Sequence, residues 1–310
     1  MRTISIVIPV YNGEKSIERL VDELFDHLSK SFVLDVVLVN DYSPDNSWQA
    51  IERIHTKYPK NIQAINLSKN FGEHNAVMAG YNYALGDVII NIDDDFQNPP
   101  SEIIKLIDKL DTGCEVVYSY YAKKKHHLVR NLGSKFTNKL ATLMLKKPKG
   151  LYLSSFRAIT KQLKEEVIKY KGPFPYIDGL ILRNTARIGT QEVLHLSRNE
   201  GESNYTVIKL VRLWSYMFLN FSAYPLRVAT LIGLLFALTG FIGAIFVILE
   251  KIFNPSLQIG WSSLIITVTL FSGIQLIILG VIGEYIGRIF LTQNLRPQYT
   301  TFQVMSSSND

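Results

Sequence analysis

Cysteine is nearly absent from this chain: one, Cys114, in 310 residues. A lone thiol excludes a disulfide-built fold and suits a reducing compartment. His74, His126 and His127 do not fall at zinc-ligand spacing, and Cys114 has no companion base, so hydrolytic zinc and thiol chemistry lack support. Nothing at the N-terminus reads as a cleavable leader, because MRTISIVIPVYNG runs directly into strand-like alternation. With 47% hydrophobic residues the chain is not disordered, and its length allows one sizeable domain plus something smaller. The net charge of +6 does not by itself choose between nucleic acid, anionic lipid and a phosphorylated substrate.

Up to about residue 200, short apolar runs alternate with amphipathic stretches. ISIVIPV, LDVVLVN, IQAINLS and VIINIDDD read as strands; SIERLVDELFDHL, SWQAIERIHTKY and EHNAVMAGYNYAL read as helices. This order predicts an α/β fold with a mostly parallel sheet covered on both faces. Ligands of such sheets bind beyond the carboxyl ends of the strands, and YNGE, NDYSPDNS and DDDFQ all fall at those ends.

Beyond residue 220 the composition changes. VATLIGLLFALTGFIGAIFVIL (228–249) and SSLIITVTLFSGIQLIILGVI (262–282) carry no charge, and each is long enough to cross a bilayer as a helix. Two adjacent uncharged runs of this length are rare in soluble cores. Arg227 precedes the pair and Arg288 and Arg296 follow it, so the positive-inside rule puts both ends in the cytoplasm. Before the first run, YTVIKLVRLWSYMFLNF has Lys209, Arg212, Trp214 and Tyr216 in an otherwise apolar helix suited to the lipid headgroup layer. The expected organisation is a catalytic domain at 1–204, an interfacial segment at 205–225, two membrane helices within 226–292 and a cytoplasmic tail at 293–310. The hairpin offers a surface for a homo-oligomer, but no feature requires one.

The stretch VIINIDDDFQNPP places three carboxylates at the end of a buried strand. If the extended geometry persists, Asp93, Asp95 and Gln97 share one face, a hard oxygen set suited to Mg²⁺ or Mn²⁺ completed by substrate phosphates. Alone, the triplet reads equally well as a solvated turn before a helix near Ser101. Asp41 lies just past VVLVN, where an acid can accept an N–H from a base or ribose, although NDYSPDNS is also rich in turn formers. In KKKHHLVRNLGSK, Arg130 and Ser134 share a helical face able to hold a phosphate; a solvated basic face is the commoner meaning of such a run.

Together, IVIPVYNGEKSI, VLVNDYSPDNS, LSKNFGEHNAVMAGYNYALGDVIINIDDDFQNPPSEI, RNEGESNY, SAYPLR and GEYIGRIF resemble the polyprenyl-phosphate glycosyltransferases of glycosyltransferase family 2. That group includes dolichol-phosphate mannose synthases, bactoprenol glucosyltransferases and undecaprenyl-phosphate formamidoarabinose transferases. The resemblance runs from about residue 3 to residue 297. It implies a GT-A fold and inverting transfer of one sugar from a nucleotide sugar, UDP-linked by preference, to a polyprenyl phosphate such as undecaprenyl phosphate. The product would serve envelope glycan or lipid A modification at a bacterial inner membrane. By the same resemblance Asp93, Asp95 and Gln97 match the metal and diphosphate motif, and Asp41 the acid that recognises the base. Pro9, Tyr11 and Glu14 match the nucleotide pocket. Arg130 and Ser134 match positions near the acceptor phosphate, with Lys124 in support, and Arg198, Gly201, Ser203 and Tyr205 match a loop near the membrane. Three departures stand out: Asn40-Asp41-Tyr42-Ser43 replaces DDGS, Tyr121 and Lys124 replace two arginines, and Asn204 replaces a lysine.

The implied acceptor is a phosphate monoester, largely ionised at neutral pH, so no dedicated base is needed. A processive or hydroxyl-directed transferase would need one. The QxxRW segment of processive synthases is not found, and two spans are few for a polymer channel. A membrane-anchored scaffold with a decayed site is the non-catalytic alternative, which the retained Asp93, Asp95 and Gln97 oppose. Nucleic-acid binding is disfavoured because the basic residues border a membrane segment and the rim is acidic.

Overall fold

Strand β1 (Thr3–Val10) is flanked in parallel by β2 (Val33–Asn40) and β4 (Val88–Asn91), and β3 (Ile62–Leu67) extends the parallel run beyond β2. The structure is a computed structural model that describes residues 1–121, 148, 150–196, 224–253, 260–294 and 297–307. Its sheet has eight strands in the order β7-β5-β6-β4-β1-β2-β3-β8, completed by β5 (Val116–Tyr120), β6 (Arg157–Thr160), β7 (Ile188–Glu192) and β8 (Thr301–Met305). Strand β6 runs antiparallel to β4 and β5, and β8 antiparallel to β3. The α/β expectation holds, with these two reversals in a mostly parallel sheet.

Alternation along the strands builds two faces. Ile4, Ile6, Ile8 and Val10 of β1, with Val36 and Leu38 of β2, face helices α1 (Ile17–Leu28), α2 (Ser47–Lys57) and α4 (Ile103–Leu110), forming the main apolar core. The opposite face receives α3 (Glu73–Tyr83), which comes so close that a Cβ on Gly80 would run into Val7. This face also carries polar residues. Asp35 of β2 accepts from Ser5 Oγ at 2.5 Å, Gln63 Nε2 at 2.7 Å and Leu85 N at 2.9 Å, so the carboxylate near the start of LDVVLVN is buried but satisfied. Ser5 Oγ in turn accepts from Gly86 N at 2.7 Å, pinning the turn between α3 and β4 to the sheet. Helices α5 (Lys161–Val167) and α6 (Ile177–Asn184) follow β6.

The chain divides into two units, Met1–Lys209 with Arg296–Asp310, and Leu210–Leu295. Among its described residues the second unit has two long helices, α7 (Tyr224–Phe253, 30 residues) and α8 (Trp261–Gln293, 33 residues). Both extend beyond the uncharged runs at 228–249 and 262–282. They lie antiparallel: Gly233 is near Ile278, Gly240 is near Phe271, and the rings of Phe236 and Phe271 meet edge to face at 5.9 Å. Among the described residues Leu270–Gln293 is long and apolar enough to cross a membrane, while Val228–Gly243 is a shorter apolar helix. The interfacial segment expected at 205–225 lies outside the described residues, apart from Tyr224 and Pro225, which open α7.

The segment expected to trail away as a tail, 293–310, is different. Helix α8 uses its first residue, and the chain then returns to the catalytic unit, where β8 pairs with β3. Gln298 Nε2 donates to Tyr170 O at 2.7 Å, Ser68 N to Thr300 O at 2.9 Å, and Ser306 O meets His55 Nε2 of α2 at 3.1 Å. Met305 packs against the main core. The strand is held by its pairing with β3 rather than by a buried apolar face, and its place beyond two apolar helices hides it from a reading by domains. Deleting residues 297–310 removes a ladder of backbone hydrogen bonds, each worth about 1 kcal/mol net, and uncovers the β3 edge. The catalytic unit of the truncated protein is expected to melt several degrees lower in a thermal scan; an unchanged melting temperature would mean that the pairing contributes nothing.

Candidate active site

The register Val10↔Asn40 and Asn40↔Asn66 brings the carboxyl ends of β1, β2 and β3 to one level, so their loops leave the sheet side by side. These loops are stitched together. Gly13 N donates to Ser47 Oγ at 2.9 Å and Asn12 N to Ser43 Oγ at 3.2 Å. Asn46 donates through its backbone and its side-chain amide to the two carboxylate oxygens of Glu14, at 3.3 and 3.1 Å. Glu14 therefore holds the β1 loop to the β2 loop. Tyr11 is half exposed at the end of β1, and Pro9 is partly buried within it.

Asp41 is almost fully buried and accepts from Phe71 N at 2.7 Å and Gly72 N at 2.8 Å. Burial raises its pKa to about 6 against the lowering effect of these two bonds. It anchors the loop from which α3 starts, with Gly72 at a φ of 90° that suits glycine.

The acidic triplet departs from the extended path. Strand β4 stops at Asn91, Asp94 and Asp95 form a turn, and Phe96 has a φ of 58°, so Asp93, Asp95 and Gln97 do not follow strand alternation. The Asp95 carboxylate accepts from Gln97 N at 3.1 Å, and Gln97 O accepts from Leu196 N at 2.9 Å. Asp93 accepts from Ser155 Oγ at 2.5 Å. Asp94 turns toward the β1 loop, where a Cβ on Gly13 would strike its carboxylate, and its Oδ2 is buried with no hydrogen-bond donor among the described residues.

Crowding of like charge shows in the acid strengths. Asp93 is pushed up to about 7 by burial and by Glu73, with the Ser155 bond acting the other way. Asp94 is pushed up to about 7 by burial, then by Asp93 and Asp95. Glu73, the first residue of α3, keeps an exposed side chain but is hemmed in by protein, and its pKa is raised by loss of solvent, with Arg157 opposing and Asp178 and Asp95 adding to the rise. Beside it, burial lowers His74 to about 4, and its ring meets Tyr176 edge to face at 5.2 Å.

Among the described residues a buried cation adjoins these acids. Arg157 is paired across the strands with Asn91 of β4 and Tyr118 of β5, is buried, and donates to Asp178 of α6, which also accepts from Tyr118 Oη at 3.1 Å. The Asn91 amide and Arg157 Nε have no hydrogen-bond partner among the described residues. Sequence reasoning missed Asp94, Glu73, Ser155, Arg157 and Asp178. Glu73 had a signal, an acid opening a helix after a glycine; Arg157 and Asp178 had none, since only the fold brings them together.

Among the described residues no three carboxylates, imidazoles or thiols close on one point as a complete metal cage. The donors present nevertheless fit a divalent cation. They are oxygens only, the buried Asp94 oxygen lacks a donor, and Mg²⁺ or Mn²⁺ is commonly held by one or two carboxylates with substrate phosphates completing the shell. Lys124, Arg130, Ser134 and Arg198 lie outside the described residues, as do Gly201, Ser203 and Tyr205. Tyr121, at one position where the resemblance expects arginine, donates to Asn98 Oδ1 at 2.8 Å and stacks on His195 at 4.1 Å.

A mostly parallel sheet with an acidic turn at the carboxyl end of its fourth strand is a GT-A-like fold. Glucosyl-3-phosphoglycerate synthase of Mycobacterium tuberculosis, solved with Mn²⁺, UDP and phosphoglyceric acid, shares this fold with a TM-score of 0.51 at 18% identity, over 75% of this chain and 78% of that one. Residues 5–168 match the model of "Glycosyl transferase family 2", and the chain belongs to that family. It is 33% identical to an undecaprenyl-phosphate 4-deoxy-4-formamido-L-arabinose transferase of Pectobacterium atrosepticum, covering 99% of this chain and 95% of the relative. It is 34% identical to an uncharacterized glycosyltransferase of Bacillus subtilis, covering 95% and 92%.

Two predictions follow from the site's charges. Asp178→Ala leaves Arg157 buried without its counter-ion and is expected to cost about 3–5 kcal/mol in chemical unfolding, most of it recovered in the double variant with Arg157→Met; additive losses would contradict the pairing. Asp93 and Asp94 have folded-state pKa values above the unfolded value of 3.8, so their contribution to stability is complete below 3.8 and is lost as pH rises to about 7. A divalent cation competes with those protons, so Mn²⁺ should raise the melting temperature more at about pH 8 than at about pH 6. An equal rise at both would place the cation elsewhere.

Proposed function

We propose that the protein transfers one sugar, with inversion, from a nucleotide sugar to a polyprenyl phosphate of the undecaprenyl type, with UDP as the favoured carrier and Mg²⁺ or Mn²⁺ as the metal. The observation that carries this reading is the match along 99% of the chain, at 33% identity, to a relative named for transfer to undecaprenyl phosphate. The oxygen-rich rim supports it. Asp93 and Asp95, with Gln97 beside them, would hold the cation, which when bound offsets the charge of the departing diphosphate. Pro9, Tyr11, Glu14 and Asp41 line the nucleotide side.

An ionised phosphate acceptor needs no general base. The commitment of Asp178 to Arg157 and Tyr118 agrees with this, since a carboxylate held in a buried ion pair is poorly placed to take a proton from a sugar hydroxyl. Lys124, Arg130, Ser134 and Arg198 receive the acceptor phosphate and offset its repulsion from the donor.

Helices α7 and α8 form the membrane hairpin of this reading. At about 1.5 Å per residue both are long enough to span a bilayer. Phe241, Leu276 and Ile277 are 67%, 69% and 70% exposed, surface that lipid would cover at little cost. The arginines at positions 227, 288 and 296 put both ends of the hairpin, and with them the catalytic unit, on the cytoplasmic side of a bacterial inner membrane. The product is then a lipid-phosphate-sugar for envelope glycan or lipid A modification.

Full-length protein in detergent, given undecaprenyl phosphate, Mn²⁺ and a panel of UDP- and GDP-sugars, should yield a lipid of one added sugar by mass, and Asp95→Asn should lose at least about 100-fold in rate. Product formed equally without metal, or on a sugar hydroxyl rather than the lipid phosphate, would overturn the proposal.

A further inference from the structure

Tyr42 is the residue at this rim whose conformation and surroundings disagree. It occupies the left-handed region with a φ of 55°, a conformation that costs a bulky residue energy and glycine almost none. The family resemblance expects glycine here. The tyrosine nevertheless keeps 59% of its surface exposed, and among the described residues its ring stacks on nothing and its hydroxyl bonds nothing. A strained, solvent-facing aromatic is a cost without a return inside the protein.

The backbone around it is firmly set. Asn40 Oδ1 accepts from Ser43 N at 3.3 Å, Asn40 Nδ2 donates to Asn66 Oδ1 at 2.9 Å, and Ser43 Oγ donates to Val10 O at 3.4 Å. These bonds brace the turn on both sides of Tyr42 and tie it to β1 and β3. The ring is thus presented from a braced loop, one residue beyond the buried Asp41. Tyr11, at the same level of the neighbouring strand, is half exposed, and Phe71, whose N–H Asp41 holds, is partly exposed with Lys69 Nζ 5.0 Å from its ring centre. Three aromatic residues from three adjacent loops are therefore neighbours of one buried acid, Tyr42 along the chain, Tyr11 by strand register and Phe71 through its backbone N–H. A flat heteroaromatic ring carrying N–H groups suits such a setting, since aromatic faces hold it and the acid orients it.

Building on the nucleotide-sugar reading, we propose that Tyr42 is a base-contacting residue, a stacking face for the nucleobase of the donor supplied at a position where glycine would leave the base uncovered. The left-handed backbone is then the condition for aiming the ring at the ligand.

The test separates stability from binding. UDP and GDP, each with Mn²⁺, are titrated calorimetrically into full-length wild type, Tyr42→Gly and Tyr42→Phe, with a thermal scan of each ligand-free protein. Tyr42→Gly is expected to melt higher than wild type yet bind the preferred nucleotide about tenfold more weakly, and Tyr42→Phe to match wild type in binding. Unchanged affinity in Tyr42→Gly would overturn the inference and leave the nucleotide-sugar reading standing. Loss of affinity accompanied by a lower melting temperature would also overturn it, because the tyrosine would then be acting as a structural residue. A wild-type protein that binds neither nucleotide would overturn both.

Discussion

The buried pair of Arg157 and Asp178 is the interaction on which the electrostatics of the rim depend. Burial works against the guanidinium, but Asp178, assisted by the ring hydroxyls of Tyr81 and Tyr118 and by Glu73, more than restores it, so Arg157 stays charged inside the protein. From there it acts on both Asp93 and Glu73, lowering acids that burial and mutual repulsion raise. A fixed positive charge on a strand of the sheet and a divalent cation at the acidic rim would share the task of keeping these carboxylates ionised. The pair also joins α6 to β6 and, through Tyr118, to β5, so the same contact that sets charge also fixes the half of the sheet that supplies Ser155 to Asp93.

A second constraint is geometric. Adjacent parallel strands end at one level, and their loops would separate if nothing tied them. Glu14 with Asn46, Gly13 with Ser47, and Asp41 with Phe71 and Gly72 bind the three loops into one surface. Polar residues that look like interchangeable turn formers in NDYSPDNS each have a specific partner at least 30 residues away or within the turn. Asp41 shows how a single acid serves two ends: its bonds position the start of α3, and the residue beside it is the exposed Tyr42.

Much of this was legible in the sequence, for identifiable reasons. The 2-residue and 3.6-residue periodicities of the first 120 residues are strong because one core face is buried against three helices, so the strands and the rim clusters were found where they lie. The triplet was legible as a concentration of charge, with an extended path and a turn equally open; the choice of the turn at Asp94 and Asp95 and of the left-handed Phe96 involves Gly13 and Ser155, residues distant in the chain. Arg157 and Asp178, 21 residues apart on a strand and a helix, leave no pattern in a single sequence. Strand β8 is short and mostly exposed, so it leaves little pattern, and two long apolar helices separate it from the domain it completes.

That separation bears on how the protein is made. A domain usually folds as its own segment leaves the ribosome, before later segments exist. Here the last strand of the catalytic sheet is encoded after both apolar helices, so synthesis reaches those helices while β3 still presents an uncovered edge. An uncovered edge is a place where other chains can pair. The nascent catalytic unit therefore passes through an interval in which it is nearly folded but open on one side, and that interval ends only when the chain has come back from the apolar hairpin.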